Sequence, residues 1–334
     1  MRTFAIVAGA LLAGIAVPVA AANQPTLTVY TYSSFVSDWG PGPAVEQAFE
    51  AECDCTLDLV GLEASATILN RLRLEGARTK ADVVLGLDTN MIAEARATGL
   101  LAPHGVDLGG LVLPIAWDDA LFVPFDYGYF AFVYDKTRLS APPASLDALV
   151  NGDAAEKIII QDPRTSTPGL GLLLWMQKVY GDGAADAWAR LERRVLTVTK
   201  GWSEAYGMFL DGEAPLVLSY TTSPAYHLIA ESDERFAAAI FAEGHYMQIE
   251  VAALVKGSQQ PELARRFLAF VASPEFQKII PTGNWMYPVI DLGDALPPAF
   301  AALPRPASAL LFDPAEVAAK RKEWIDAWLE AMSR

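Results

Sequence analysis

Residues 161–175 read Gln-Asp-Pro-Arg-Thr-Ser-Thr-Pro-Gly-Leu-Gly-Leu-Leu-Leu-Trp, and they join small hydroxyl side chains to a helix start. They follow an apolar strand, Ile158 to Ile160, and lead into an apolar helix. Thr167 suits the N-cap and Pro168 the N1 position, where a missing N–H costs nothing. The first-turn N–H groups then point out of the helix unpaired. With Ser166 and Thr167 beside them, they suit a phosphate or another polar group.

Four aromatic-rich turns complete the constellation. They are Tyr30-Thr31-Tyr32-Ser33-Ser34 with Trp39 after it, Lys200-Gly201-Trp202-Ser203, Ser219 to Tyr226, and Thr282-Gly283-Asn284-Trp285-Met286-Tyr287. Ser203 suits an N-cap, and Ser223-Pro224 an N-cap followed by N1. Rings at strand-to-helix turns form flat walls, and each ring face holds a cation by about 0.5–2 kcal/mol once water is excluded. For Trp202, Tyr220 and Trp285 a core place and a cleft place are both open. Trp175, Trp188, Trp324 and Trp328 lie inside helices and read as core. Asp38, Glu63, Asp88 and Asp126 fall near strand ends or loops, where one of them could pair with a cation.

Strand and helix signals alternate, which predicts an α/β fold. Strands are expected at Leu27–Tyr32, Leu57–Val60, Asp82–Leu85, Ile158–Ile160, Leu196–Thr199 and Leu216–Ser219. Helices are expected at Pro43–Glu52, Ala66–Glu75, Met91–Thr98, Leu170–Tyr180, Ala184–Glu192, Ser203–Asp211, Pro224–Ser232, Pro261–Ala272 and Pro274–Ile279. A last helix runs from Asp313-Pro314 to Met332, with an apolar stripe through Val317, Trp324, Ile325, Trp328 and Leu329. Two long apolar runs, Leu121–Tyr134 and Gln248–Val255, suit strands that pass from one lobe to another. The expected division is a first lobe over 23–124, a second over 125–252, a return over 253–300 and a helical tail over 301–334. A cleft between such lobes, lined by helix starts and strand ends, is a natural ligand site.

Met1-Arg2-Thr3, the apolar run Phe4–Val17 and Ala20-Ala21-Ala22 predict a signal peptide over 1–22 and export, most simply to a bacterial periplasm. The run is short for a membrane anchor. Formal net charge is −15, which argues against nucleic acid and anionic membrane surfaces. Cys53 and Cys55, one residue apart, are open to a tight disulfide or to two buried thiols. The three histidines are scattered, so the pattern offers no metal site. No Gly-x-x-x-x-Gly-Lys-Ser/Thr loop occurs, so the chain carries no phosphate loop of an ATPase.

Leu27-Thr28-Val29-Tyr30-Thr31-Tyr32, followed by Asp38-Trp39-Gly40-Pro41-Gly42-Pro43, resembles the start of mature periplasmic thiamine-binding proteins. Gln161–Gln177, Thr199–Tyr206, Leu218–His227 and Pro281–Pro288 carry the same resemblance, which covers essentially the whole mature chain. That family comprises the extracytoplasmic receptors of ATP-driven thiamine importers. The resemblance implies a type II periplasmic-binding-protein fold, two α/β lobes joined by two hinge strands with a ligand cleft between them. It implies binding of thiamine, thiamine monophosphate and thiamine diphosphate, and delivery to an ABC permease and its ATPase on separate chains.

Carried over by position, Ser166 and Thr167 meet the hydroxyethyl or phosphate end of the ligand. Trp202 and Tyr220 contact the rings, and Thr221, Thr222 and Ser223 supply polar contacts. Tyr32, Trp39, Tyr226 and Trp285 are further wall residues. In one departure, Glu63-Ala64-Ser65 stands where the family carries Glu-Asp-Gly, so a carboxylate at position 64 is gone. The loop is expected to touch the ligand through its backbone, with Glu63 or Asp88 substituting for the lost charge. No cofactor, catalytic residue or metal is expected. Two alternatives share the fold. Type I thiaminases use a cysteine nucleophile, but Cys53 and Cys55 lie in no activating setting. Ferric ion receptors use neighbouring tyrosines, and polyamine receptors several cleft carboxylates; no adjacent Tyr-Tyr occurs here.

Overall fold

The computed structural model describes residues 24–333; the expected signal peptide, 1–22, lies outside the described residues. The first stretch holds β1 (Thr26–Tyr32), α1 (Gly42–Cys53), β2 (Thr56–Leu62), α2 (Ser65–Glu75), β3 (Val83–Asp88), α3 (Ile92–Ala97) and β4 (Leu101–Ala102). Next come β5 (Phe122–Asp135), α4 (Leu146–Val150), β6 (Ile158–Gln161), α5 (Thr167–Tyr180), α6 (Ala184–Glu192), β7 (Val195–Thr199), α7 (Trp202–Leu210), β8 (Leu216–Tyr220), α8 (Ser223–Tyr226) and β9 (Phe236–Ala238). The last stretch holds β10 (His245–Val255), α9 (Pro261–Val271), α10 (Pro274–Gln277), α11 (Ile280–Gly283), β11 (Tyr287–Pro288), α12 (Pro298–Ala301), β12 (Ala309–Leu310) and α13 (Pro314–Ala331).

The main strands are ordered β2-β1-β3-β10-β5-β8-β6-β7. β1 pairs in parallel with β2 and β3, and β6 with β7 and β8, as crossover helices require. The two long central strands run antiparallel to each other and to β3 and β8, while the short β12 joins β10 in parallel. β5 pairs with β10 over Phe122–Tyr129 and with β8 over Phe130–Tyr134, so it leaves one sheet and joins the other within its own length. β5 and β10 are almost wholly buried, and they read as apolar runs because both faces are covered. The β5–β10 ladder slips between Glu250 and Val251, and a slip of this kind re-aims a side chain.

Two main cores sit under these sheets. One packs Val29, Leu85, Phe125 and Phe267; the other packs Phe132, Leu173, Trp175 and Trp188. Tyr220 packs partly against both. The last helix, α13, adds Val317, Trp328 and Ala331 to the second core and also reaches α3 of the first lobe. Cys53 and Cys55 are joined in a disulfide at the end of α1. No helix among the described residues is long and apolar enough to cross a membrane.

The three expected N-caps fall on other residues. α5 takes Ser166, not Thr167, as N-cap, because extended Ser166 already offers its carbonyl to Leu170 N at 2.9 Å. Pro168 is then the second helical residue, still among the N–H positions a helix leaves unpaired. α7 starts at Trp202 after an extended Gly201, so Ser203 lies inside the helix. α8 starts at Ser223 after Thr222; the Ser223 hydroxyl is engaged with Ser219 Oγ at 2.7 Å instead of capping. The expected helix Pro224–Ser232 is also divided. α8 passes into a wider π turn, His227–Glu231, which ends at Ser232 in the left-handed region. The buried His227 ring is held from both sides there, by Tyr206 at 2.9 Å and Glu231 at 2.7 Å.

Candidate functional site

A cavity of about 330 Å³ lies between the lobes. Tyr32 from the end of β1, Trp39 from the loop after it, and Glu63, Ala64 and Ser65 at the start of α2 line one side. Ser166 and Thr167 at the start of α5, Trp202 at the start of α7, Tyr220 at the end of β8 and Ser223 at the start of α8 line the other. Trp285, just after α11, closes the ring. Strand ends and helix starts thus face one another across the cleft, the usual ligand position in open α/β sheets.

The walls are held rigidly from behind. Trp202 donates its Nε1–H to Ser219 Oγ at 2.8 Å and stacks on Tyr206 with centroids 4.9 Å apart. Tyr206 is in turn stacked on His227. Tyr220 is half-buried against Phe130, 5.1 Å between centroids. Trp39 is 54% exposed and faces Trp202 across the mouth at 6.4 Å. Trp285 has a φ of 56°, a left-handed backbone that costs a side-chain-bearing residue about 1–3 kcal/mol. That turn sets its ring edge-to-face with Tyr226 at 5.1 Å.

At one end of the cavity two helix starts converge. Neither N-cap residue, Ala64 of α2 or Ser166 of α5, caps its own helix with a side chain. Thr167 Oγ1 donates to Ser65 Oγ at 3.2 Å, joining the lobes, and Lys200 Nζ pairs with Glu63 Oε1 at 2.7 Å. Two uncapped helix starts with serine and threonine hydroxyls make a pole that favours an anionic or strongly polar group. Gly169 lets α5 begin this close to β6: a Cβ there would lie 2.5 Å from Gln161 O.

The floor carries the opposite charge. Glu250 of β10 accepts from the Tyr32 hydroxyl at 2.8 Å, from Gln248 Nε2 at 3.3 Å and from Asn284 Nδ2 at 3.4 Å. Asn284 Nδ2 also reaches Asp126 Oδ2 of β5 at 2.6 Å. Burial drives both carboxyls up, Asp126 to about 7 and Glu250 well above its ordinary value, where the neighbouring Asp126 charge pushes it further. Two buried acids so close resist ionising together. A bound cation would let both ionise. Rings on the walls, acid on the floor and helix starts at one end suit a flat cationic ligand with a polar tail.

The cleft does not gather every expected residue. Asp88 is fully buried at the end of β3, outside the cavity lining. Burial raises its carboxyl to about 6, while the Asn90 N–H, the Arg321 charge, and the Asn90 and Thr167 side chains pull it back. Thr221 and Thr222 are also fully buried behind the lining; Thr221 N donates to Tyr129 O at 2.9 Å. Tyr226 stands one layer back, behind Trp285. Conversely, Glu250, Gln248, Asn284, Met286 and Lys200 line the cavity without having been singled out. Glu250 and Gln248 left one readable signal: polar side chains inside the apolar run Gln248–Val255 are rare unless partnered.

A cavity where two α/β lobes meet, joined by two long strands, is the arrangement of the type II periplasmic-binding-protein fold, the class of the bacterial solute receptors. Residues 40–278 match the family described as bacterial extracellular solute-binding protein, and the chain belongs to that family. It is 60% identical over 311 residues to the thiamine-binding periplasmic protein of Escherichia coli (strain K12), covering 93% of this chain and 94% of that one. It is 54% identical to the protein of the same name from Brucella suis biovar 1 (strain 1330), over 100% of both chains. A solved structure of a periplasmic thiamin binding protein superposes with a TM-score of 0.91 at 60% identity, covering 93% of this chain and 97% of that one. Iron-bound HitA from Pseudomonas aeruginosa has a TM-score of 0.76 at 21% identity, covering 92% of this chain and 99% of that one, a likeness of fold alone.

Proposed function

We propose that this chain is a periplasmic receptor that binds thiamine, thiamine monophosphate and thiamine diphosphate and hands them to an ABC importer whose permease and ATPase are separate chains. The carrying observation is an aromatic-walled cavity above a buried acid pair, in a chain 60% identical over nearly its full length to a thiamine-binding periplasmic protein. Thiamine has a permanently charged thiazolium, a flat aminopyrimidine and a hydroxyethyl tail. The rings suit Trp202, Tyr220, Tyr32, Trp39 and Trp285. The charge and the amine suit the floor around Glu250 and Asp126. The tail, phosphorylated or not, suits the start of α5 at Ser166 and Thr167, with Ser65 opposite.

Nanomolar binding would call for closure of the lobes. Nanomolar affinity takes about 12 kcal/mol, and two cation–π contacts supply only about 1–4 kcal/mol together. The remainder must come from burying the ligand between the lobes. The 2.7 Å Lys200–Glu63 pair and the 3.2 Å Thr167–Ser65 hydrogen bond are the sort of contacts a closed mouth makes.

Calorimetric titration of unfolded, ligand-stripped and refolded protein tests the reading. Saturable heat with thiamine is expected, and no heat with thiamine or either phosphate would overturn it. Binding is expected to be reversible and without chemistry. Free thiazole released from thiamine in the presence of aniline would turn the reading toward an enzyme.

A further inference from the structure

Lys200 is the one cationic side chain on the cavity lining among the described residues, and it stands at the pole where α2 and α5 begin. Its partner is Glu63 of the other lobe, at 2.7 Å. Both side chains are more than half exposed, 64% and 55%. Ser65, Ser166 and Thr167 lie on the same part of the lining, and they offer hydroxyls but no full charge.

A neutral hydroxyl tail needs no cation there. A phosphoryl tail brings a charge of about −1.5 to −2 at neutral pH. Helix starts offset only part of that, through fractional charges confined to the first turn. The acids on the lining, Glu63, Glu204 and Glu250, oppose it. Lys200 carries a point charge on a flexible stem, so it can change partners without rebuilding the wall. Its present ion pair is exposed and therefore weak, so exchanging it costs little.

We propose that Lys200 and Glu63 form a charge selector for the ligand tail: Lys200 pairs with Glu63 over an unphosphorylated tail and turns to the phosphoryl oxygens of a phosphorylated one. This rests on the thiamine reading. Because the two residues belong to different lobes, the exchange also replaces one bridge across the mouth with another, routed through the ligand. Glu63, left unpaired beside the phosphoryl group, penalises that state and moderates the preference.

The test is the ratio of thiamine to thiamine monophosphate dissociation constants, measured by calorimetry on wild type, Lys200→Gln, Glu63→Gln and the double variant. Lys200→Gln is expected to lower the preference for the monophosphate by about threefold to tenfold, between an exposed ion pair and a charge-assisted hydrogen bond. Glu63→Gln is expected to raise it by about threefold. The double variant should prefer the monophosphate more than Lys200→Gln and less than Glu63→Gln, because it loses the Glu63 repulsion as well as the Lys200 attraction. Added salt should erode the wild-type preference, and it should not erode that of Lys200→Gln, where only repulsion is left to screen. Both affinities come from one preparation, so any loss of folded protein cancels in the ratio. Ratios within about twofold of wild type in both single variants would overturn the selector while leaving the receptor reading intact. Wild-type protein that binds neither compound would overturn both.

Discussion

Trp202 carries more of the site than its position in a turn suggests. Its indole N–H is tied to Ser219 and its face to Tyr206, so the ring is oriented before any ligand arrives. Pre-orientation saves the ordering cost that a mobile ring pays on binding. Trp39, half outside in solvent, cannot replace it. Trp202→Ala and Tyr220→Ala should each weaken thiamine binding by tenfold or more, on the order of 1.4 kcal/mol. Titration is the check, and unchanged affinity in both variants would remove the wall assignment. The turns of these two rings were legible in the sequence as aromatics at strand-to-helix junctions. The choice between core and cleft was not, and rested on the family resemblance; Trp202 in fact opens α7 and Tyr220 ends β8. The acid pair was harder to read. Asp126 stood among the candidate carboxylates, but Glu250, 6% exposed inside an apolar strand, was hidden by the apolar pattern around it. Thr221 and Thr222 misled in the other direction: a hydroxyl-rich turn reads as open, yet both face inward here.

At the scale of elements, α5 decides the polar end of the cleft. Its open first turn comes from a serine that spends its carbonyl, not its side chain, on the helix. Ser166→Asp places a carboxylate at that turn. It should weaken thiamine diphosphate more than thiamine, by charge repulsion; equal losses for the two would refute the tail assignment. Further along, Gly171 packs flat on Phe130, where a Cβ would stand 2.1 Å from the ring. Phe130 is fully buried and cannot swing away, so Gly171→Ala should cost about 1–3 kcal/mol of stability by overpacking. A urea midpoint equal to that of wild type would contradict this.

The order of main strands and helices was readable from periodicity and from Pro at helix starts. Helix starts slipped by a residue because Ser, Thr and Gly compete for the cap, and the winner depends on tertiary partners. The short strands β4, β9, β11 and β12 were not legible at all. Two or three residues carry no period, and these become strands only by lying beside β5 or β10.

For the whole molecule, the buried acids make stability and binding depend on pH in opposite directions. Burial raises the Asp126 carboxyl to about 7 and the Asp88 carboxyl to about 6, and moves Glu250 upward as well. In the unfolded chain these groups lose their protons near pH 4, roughly their ordinary value. Between about pH 4 and pH 7 the folded state therefore binds more protons than the unfolded one. The stability these groups contribute is fully present below that window and is lost as pH rises through it. The melting temperature of the empty receptor should fall from about pH 5 to about pH 8. Growing net negative charge pushes the same way, so Asp126→Asn separates the causes: it should flatten the fall without abolishing it.

A permanently cationic ligand reverses the preference, because it favours the ionised acid pair. Binding should then expel protons, and affinity should rise across the same window. Calorimetry of thiamine binding near pH 6.5, roughly mid-window, in two buffers of different ionisation enthalpy counts those protons directly. A fractional release that shrinks in Asp126→Asn is expected. Identical heats in both buffers would mean that the acid pair does not sense the ligand's charge, and the floor of the cleft would lose its role.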